Sequence, residues 1–567
     1  MNLKRPILKF VVLFFYLFLL EINITCQLVD VSNTLFLETD HTGGYLGSGV
    51  SFADFNSDDI DDLTFGHHAG QIRFYQGNGI GFDEIILDIN NEQGESKMVL
   101  WADIDNDGDQ DLLITNRNTS NKLFVNNGSM QFTDVSETCG ISTNAESKSY
   151  GASFGDYNND GFLDLYICNY HTYINSETNE LYLNNGNGTF SDVTEYAGVG
   201  NDLAQTFQSN FIDIDNDGLL DLHIINDRIQ WPNVFFKNNG NGTFTDMAMI
   251  WGVNLPIYAM STSFSDYDRD GDMDLYVTNG TLGNVLLRND LNLNYSFTDV
   301  TNLMGVAVNM ISWGAAWLDH DNNTYPDLYV STGVNAFTQI PEIFEIWGNQ
   351  PNSFFTNNLS GSFNDISSET PANEQYSFAV ATGDYNNDGF PDLISHKIGD
   401  NASMLSGVPN ENHYIKIRPQ GVTVNRDAVG STVKVFHPGG VEMNMVFCGD
   451  KYLAQNSRHL HFGLGSITQL DSVQVSWPGG SEEIFTELLI DSSVILIEGT
   501  SSGANSSEDC PEPNSYCGDG TVWDDTSETC IYLILGNACP TDINTDGNTN
   551  VTDLIILLTQ FGTFCTE

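Results

Sequence analysis

Residues 103–112 read DIDNDGDQDL, and seven of those ten are carboxylates or carboxamides. Oxygen side chains at alternate positions of a tight turn can converge on one point. A glycine at position six supplies the positive φ that such a turn needs. Clustered carboxylates repel one another strongly unless a cation sits among them. Hard oxygen ligands in this number suit Ca²⁺ better than Mg²⁺, which prefers to keep its waters. The candidate ligands are Asp103, Asp105, Asp107 and Asp111, at positions 1, 3, 5 and 9, with Asp109 at position 7 offering its backbone carbonyl.

The decapeptide recurs six times, as DFNSDDIDDL from Asp54, DYNNDGFLDL from Asp156, DIDNDGLLDL from Asp213, DYDRDGDMDL from Asp266, DHDNNTYPDL from Asp319 and DYNNDGFPDL from Asp384. First residues lie 49, 53, 57, 53, 53 and 65 apart, a repeat period too regular for chance. The matching ligand sets are Asp54, Asn56, Asp58 and Asp62; Asp156, Asn158, Asp160 and Asp164; Asp213, Asp215, Asp217 and Asp221; Asp266, Asp268, Asp270 and Asp274; and Asp384, Asn386, Asp388 and Asp392. The first copy has Asp59 where glycine is expected. The sixth has Asn323 and Thr324 at positions 5 and 6, so calcium there is expected to be weak or absent. An EF-hand would need a glutamate at position 12 and flanking helices. These loops close at position 9 and run into strand-like residues such as Asp164–Asn169. The alternative is an Asx-rich turn without metal. Each ion would tie together a turn between two strands, so its expected role is a structural staple.

The elements that must position these loops are β-strands. After each of the first six loops comes an aromatic segment with an acid and an aliphatic end: Phe82–Ile85, Phe132–Val135, Phe190–Val193, Phe244–Met247, Phe297–Val300 and Phe363–Ile366. Several follow an Asn-Asn-Gly turn, as in LYLNNGNGTFSDV at Leu181–Val193, which is a hairpin signal. The seventh loop lacks a following copy, but a leftover strand, Leu28–Val31, sits near the N-terminus. The count closes if that strand completes the last blade, which removes the free edges of a circular β-structure. The expected fold is all-β: a seven-bladed β-propeller over residues 27–410, followed by a small β domain and a short disulfide-rich, EF-hand-like C-terminal tail. An open solenoid would want capping repeats instead.

The 567 residues include 76 acidic and 19 basic ones, for a net charge of −57. Phosphate would be repelled over most of such a surface, which excludes nucleic acid as a partner. With 40% hydrophobic and 11% aromatic residues, the chain can bury a large core and is not a disordered acidic tail. Lys4, Arg5 and Lys9 precede the apolar run Phe10–Leu20, and Thr25-Cys26-Gln27 ends the stretch, so residues 1–26 read as a secretory signal peptide. No later segment is apolar enough to span a bilayer, so the mature chain is expected to be secreted or held at the cell surface with no transmembrane segment. Cys139, Cys168 and Cys448 read as buried small hydrophobes. Cys510, Cys517, Cys530, Cys539 and Cys565 crowd the tail as a disulfide-stapled region.

The loops resemble FG-GAP or VCBS repeats, the Ca²⁺-binding blades of integrin α-chain propellers and of many exported bacterial proteins. NHYIKI at Asn412, VNRDAVGSTVKV from Val424, KYLAQNSRHLHFGLG from Lys451 and VSWPGG from Val475 resemble the ASPIC/UnbV domain. That domain follows an FG-GAP propeller in the cartilage acidic protein family and its bacterial relatives. Here it would occupy residues 411–498, and the alternation in Thr432–Phe436 and Ser472–Trp477 independently reads as strand. The loops in this number would hold about five to eight Ca²⁺ ions; the resemblance implies extracellular calcium binding and interaction with other macromolecules, without a defined reaction. Residues 499–516 read as a linker and 517–538 as a small cysteine module. Residues 539–567 are similar to half a dockerin, with Asp542, Asn544, Asp546, Asn550 and Asp553 at positions 1, 3, 5, 9 and 12 of a calcium loop. A usual dockerin has two halves, so cohesin binding is not implied.

No catalytic constellation stands out. The carboxylates recur in every blade, whereas a catalytic pair should break the repeat. There is no HExxH and no GxSxG, His67-His68 reads as a polar loop pair, and Arg426 and His461 read as structural hydrogen-bonders. The expected function is a non-enzymatic, calcium-binding adhesion or macromolecule-binding module for an extracellular protein or glycan. The alternative is a carbohydrate-active protein, either a glycan binder or a polysaccharide lyase or hydrolase. Trp231, Trp251, Trp313, Trp317 and Trp347 would stack on sugars if exposed, although core packing accounts better for most of them. The long insertion Thr332–Asn373 is the place to look for function, because extra loop length on a rigid scaffold often carries it.

Overall fold

In a computed structural model, the described residues are 28–39, 46–68, 70–91, 93–144, 148–171, 177–333, 351–357, 362–371 and 377–501, with a hairpin at 521–524 and 529–532. Residues 28–407 form seven four-stranded antiparallel blades in a ring. Blade 2 shows the plan: Ser96–Ala102, Asp111–Asn116, Lys122–Asn126 and Phe132–Asp134, from the axis outward. The other inner strands are Val50–Ala53, Ser149–Gly155, Thr206–Ile212, Ala259–Ser265, Ser312–Leu318 and Ser377–Gly383. Inner strands are covered on both faces, so they read as runs such as SWGAAWL rather than as alternation.

Blade 7 has no fourth strand of its own in sequence order. Leu28–Asp30 supplies it, pairing antiparallel with Leu405–Gly407 and closing the ring as expected. The aromatic segments are the outer strands of the first six blades. Their acid has a local role: in blades 2 to 6 the aspartate accepts a bond from the backbone N–H two residues on, turning the chain out of the strand.

Blades are joined by aromatic packing and by asparagines. Trp101 of blade 2 stacks on Phe55 of blade 1 at 5.1 Å. Asn121, Asn179, Asn284 and Asn352 each donate to the serine or threonine that opens the next blade's inner strand. Cys139, Cys168 and Cys448 are buried and unbridged, as expected. Trp251, Trp313 and Trp317 are also buried, so core packing explains them; Trp231 is half-buried and Trp347 lies outside the described residues.

Residues 413–497 form two further sheets. One orders Leu460–Gly465, His413–Gln420 and Ser492–Ile497; the other orders Gly440–Met445, Thr432–His437, Ser472–Ser476 and Glu482–Phe485. Between them the chain makes an excursion that neither composition nor periodicity foretells. Residues 448–457 run into the propeller axis and touch the inner strand of every blade. Val50 N–H bonds Leu453, Trp101 exchanges two bonds with Gln455, and Phe154 N–H bonds Cys448. Gln208 donates to the Asp450 carbonyl, Lys451 to Ser263, and Thr382 N–H to Asn456. Tyr452 lies 5.3 Å from Trp313 and is fully buried. The KYLAQ stretch thus plugs the axis.

The second compact unit begins at Ala504, and its described part is the hairpin Thr521–Asp524 with Thr529–Tyr532. The signal-peptide region, Cys26, the cysteine pairing of the tail and the candidate ligands Asp542, Asn544, Asp546, Asn550 and Asp553 lie outside the described residues. Most of the insertion at 332–373 does as well. Among the described residues no helix is long and apolar enough to cross a membrane.

Candidate metal centres on the propeller rim

Each acidic decapeptide joins the inner strand of a blade to the second, so all seven loops stand at one end of the ring. Their backbones are alike. In every loop the position-1 aspartate accepts the N–H of position 5 on one oxygen, at 2.8–3.1 Å. Its other oxygen accepts the N–H of position 6, at 2.7–3.1 Å. In every loop Oδ1 of the position-9 aspartate accepts the N–H that ends the third strand, at 2.7–3.1 Å. The conserved-looking pattern of acids is therefore partly a folding device: two carboxylates organise the turn.

Position 6 has positive φ throughout, with Asp59 at +68° and Thr324 at +83° where glycine is missing. Position 4 does too, at +54° to +62°, which the spacing argument missed. Asparagine tolerates this region, and here its side chain has a second use. Asn106 donates to Gly161 of the next loop, Asn159 to Gly218, Asn216 to Asp272, and Asn322 to Gly389, at 2.8–3.2 Å. Arg269 replaces asparagine in blade 5 and donates to Thr324 at 2.8 Å. The loops of blades 2 to 7 are linked hand to hand. The asparagine that ends the third strand adds a link backward: Asn184, Asn238, Asn289 and Asn357 each donate to the position-2 carbonyl of the preceding loop.

What remains is Oδ2 of position 9. In blades 3, 4 and 5 this atom, on Asp164, Asp221 and Asp274, is buried and meets no hydrogen-bond donor. A buried carboxylate oxygen without a partner is costly. Burial, with neighbouring aspartates adding to it, pushes Asp164 and Asp274 well above the usual carboxylate range and Asp221 up to about 8. Asp62, Asp103 and Asp111 are likewise raised to about 8 by burial. A cation among these oxygens would supply the missing partner and reverse the shifts. The donor set, carboxylates and carboxamides with nearby carbonyls, fits a hard cation. Ligand atoms of Asp103, Asp105 and Asp111, of Asp213, Asp215 and Asp217, and of Asp266, Asp268 and Asp274 lie within 4.8 Å of one another, so these clusters could hold metal ions. The side chain of Asp109 instead faces the turn at Gly128, leaving only its carbonyl for the loop.

Five loops carry their own variations. In blade 4, Lys237 reaches Asp215 and, at 2.7 Å, Asp217. In blades 1, 3 and 7, the amide of Asn56, Asn158 and Asn386 donates to Asp58, Asp160 and Asp388. In blade 6, position 2 is His320, where the other loops bury Phe55, Ile104, Tyr157, Ile214, Tyr267 and Tyr385. Its Nδ1 contacts Oδ2 of Asp327, the atom left open in blades 3 to 5. Sequence reasoning passed over His320 because it counted only oxygens.

The two sheets of residues 413–497 cover this acidic end with basic side chains. Lys416, 5% exposed, donates to Asp384 at 2.7 Å and to Asn387 at 2.6 Å. Arg418 and His459 approach Asp59, whose carboxyl they hold down at about 2 against its burial. Arg426 lies over Gly108, its backbone N–H donates to Asn106, and His461 meets Asn322 at 2.7 Å. Arg426 and His461 are thus structural hydrogen-bonders that read the position-4 residues.

Two families match this chain: FG-GAP-like repeats over residues 103–167, 172–224, 213–277 and 339–395, and ASPIC and UnbV over residues 421–503. Cartilage acidic protein 1 of Xenopus tropicalis is 24% identical over 482 residues, covering 78% of this chain and 71% of the relative. The Homo sapiens protein of that name is 23% identical, covering 69% of this chain and 61% of its own length. Among solved structures, BBS1N in complex with ARL6DN matches with a TM-score of 0.42 and 7% identity, covering 65% of this chain and 95% of that one. A chain of the mitotic checkpoint complex matches with a TM-score of 0.42 and 9% identity, covering 68% and 91%.

Proposed function

From a chain that carries FG-GAP-like repeats and an ASPIC and UnbV domain, we propose an exported, calcium-stapled propeller that binds other macromolecules and performs no reaction of its own. The observation that carries this reading is the buried, partnerless carboxylate oxygen of Asp164, Asp221 and Asp274, repeated at one position in three successive blades. Each loop would hold its ion through positions 1, 3, 5 and 9, and the ion would neutralise what the fold has buried. The blade 6 loop would hold calcium weakly or not at all, because His320 already faces Asp327. The tail ligands at Asp542–Asp553 would add one more site.

Export is supported by the basic and apolar leader at residues 1–26 and by relatives named for cartilage, a tissue rich in extracellular matrix. A binding role is supported by carboxylates that recur at the same loop positions in every blade and there organise the turn. The test is to count metal in the desalted mature chain and melt it with and without chelator. About five to eight Ca²⁺ and a large drop on chelation would sustain the reading; no bound metal and an unchanged melt would end it.

A further inference from the structure

We propose that the blade 6 loop is a site for a borderline divalent cation of the zinc class, held by His320, Asp321 and Asp327, in a chain whose other loops suit calcium. The proposal rests on the reading of the loops as cation sites and assigns this one a different ion.

The loop keeps the backbone of its neighbours but changes its ligand atoms. In the other six blades, position 2 is an aromatic or aliphatic side chain buried in the core. Here it is His320, 4% exposed. Its ring meets Oδ2 of the fully buried Asp327 through Nδ1 and packs edge-on against Phe354, with centroids 5.2 Å apart. The backbone N–H of His320 donates to the same oxygen at 3.2 Å, so ring and carboxylate are set against each other by the turn itself. Ligand atoms of His320, Asp321 and Asp327 lie within 4.8 Å of one another. Among the described residues this is the one such cluster that includes a nitrogen. Around a tetrahedral zinc with bonds of about 2.0–2.1 Å, ligand atoms stand roughly 3.3 Å apart, which that spacing accommodates.

Asp321 completes the set from the solvent side, where it is partly exposed. One carboxylate oxygen accepts the Asn323 N–H at 3.2 Å, which leaves the other for an ion. The segment that follows blade 7 fixes its backbone: the amides of Asn410 and Asn412 donate to the Asp321 carbonyl at 2.9 and 2.8 Å. The imidazole alone does not settle the acids around it. Burial keeps Asp327 above the usual carboxylate range although His320 pulls it down, and burial with the charges of Asp327 and Asp321 raises Asp319 well above it.

The nitrogen decides which ion fits. Calcium takes a shell of oxygens, whereas imidazole suits zinc and its neighbours in the first transition row. Binding would exchange the Nδ1 proton, released to solvent, for the ion, so that His320 and Asp327 both face the metal.

The test is calorimetry and mass spectrometry of the full chain with zinc chloride, in buffer that keeps calcium at about 1 mM, where extracellular modules fill. Three chains are compared. His320→Tyr restores the residue that blades 3, 5 and 7 carry at position 2. Asp321→Asn, on a partly exposed residue, keeps the oxygen that Asn323 bonds and so maintains the test should tyrosine not fit. Zinc on tail cysteines or surface histidines is common to all three and cancels in the difference. Wild type should hold one zinc ion more than either variant and melt higher when zinc is added. The variants should bind that ion at least about tenfold more weakly, the lower bound for losing even an outer partner of a metal. Equal zinc uptake by the three chains overturns the proposal. Displacement of the ion by calcium raised to about 10 mM would overturn its assignment and make blade 6 a calcium loop like the rest. Neither failure touches the calcium reading of the other blades, which chelation and melting decide separately.

Discussion

The loops of blades 5 and 6 are neighbours joined by the Arg269–Thr324 bond, and their backbones follow the same course. In both, the first aspartate holds the turn with two backbone N–H groups, and Oδ1 of the last aspartate holds the third strand. They differ at one atom. Oδ2 of Asp274 is buried and open, whereas Oδ2 of Asp327 meets His320. The comparison separates two jobs that the acidic motif combines. Folding the turn needs the first aspartate and a residue at position 6 that accepts positive φ. Stabilising the last aspartate needs a partner for its Oδ2, which blade 6 supplies from its own chain and blade 5 does not.

Chelation is the widest test of that difference and carries the largest expected effect. An ion held at 100 times its Kd adds about 2.7 kcal/mol per site. Losing several together should lower the melting temperature by roughly 10 °C or more. Hydrogen exchange of the chelated chain should then show the loops of blades 3 to 5 opening before that of blade 6. Uniform loosening of all seven loops would erase the contrast.

Acid should act in opposite directions on the two forms. In the chelated chain, Asp62, Asp103, Asp111 and Asp221 are raised to about 8 and Asp266 to about 7 by burial, against about 3.9 unfolded. Groups raised by folding contribute stability that is full below the unfolded value and lost as pH rises through the folded one. The chelated chain should therefore melt higher at pH 5 than at pH 8.5. The calcium-loaded chain should melt lower at pH 5, because protons then compete with the ion. Both melts should be run in high salt, where surface repulsion is screened. The same slope in both forms would mean that the buried carboxylates are not the ion's ligands.

Single substitutions sharpen the comparison. Asp327→Asn breaks the contact with His320 and should cost about 1–3 kcal/mol with or without calcium. Asp274→Asn keeps the bond from Asn289 and removes an unpaired buried charge. It should be neutral or stabilising in chelator and destabilising in calcium, so the two variants cross when calcium is added. Equal behaviour of the pair in urea melts would show that His320 does not stand in for a cation.

The propeller was legible because its cause is local and repeated. Seven loops at a near-constant period, outer strands marked by Phe-x-Asp, and a spare N-terminal strand leave one closed arrangement, and Leu28–Asp30 pairs where the count requires. The acidic loops were legible for the same reason. The axial plug at Cys448–Ser457 was not, because its contacts join residues more than 100 positions apart and its sequence has no period. His320 was missed because a search for oxygen ligands skips position 2, which faces the core in every other blade.

The smallest effect expected is also the most specific to this architecture. Asparagine at position 4 does nothing for its own ion site, yet Asn159 donates to Gly218 of the blade 4 loop and Asn106 to Gly161 of blade 3. An ion that orders one loop should thus hold the carbonyl edge of the next in place. Asn159→Ala should cost about 1 kcal/mol of stability, the worth of one hydrogen bond. Its signature is in coupling. Asp164→Asn empties the blade 3 site and should weaken calcium at blade 4 about fivefold, the scale of a 1 kcal/mol coupling. The same substitution made together with Asn159→Ala should leave blade 4 unaffected by blade 3. Calcium titrations of the four variants form a cycle that isolates this term. A coupling that survives Asn159→Ala would place the link in the backward bonds from Asn238 to Tyr157 instead, and the cycle repeated with Asn238→Ala would then have to abolish it.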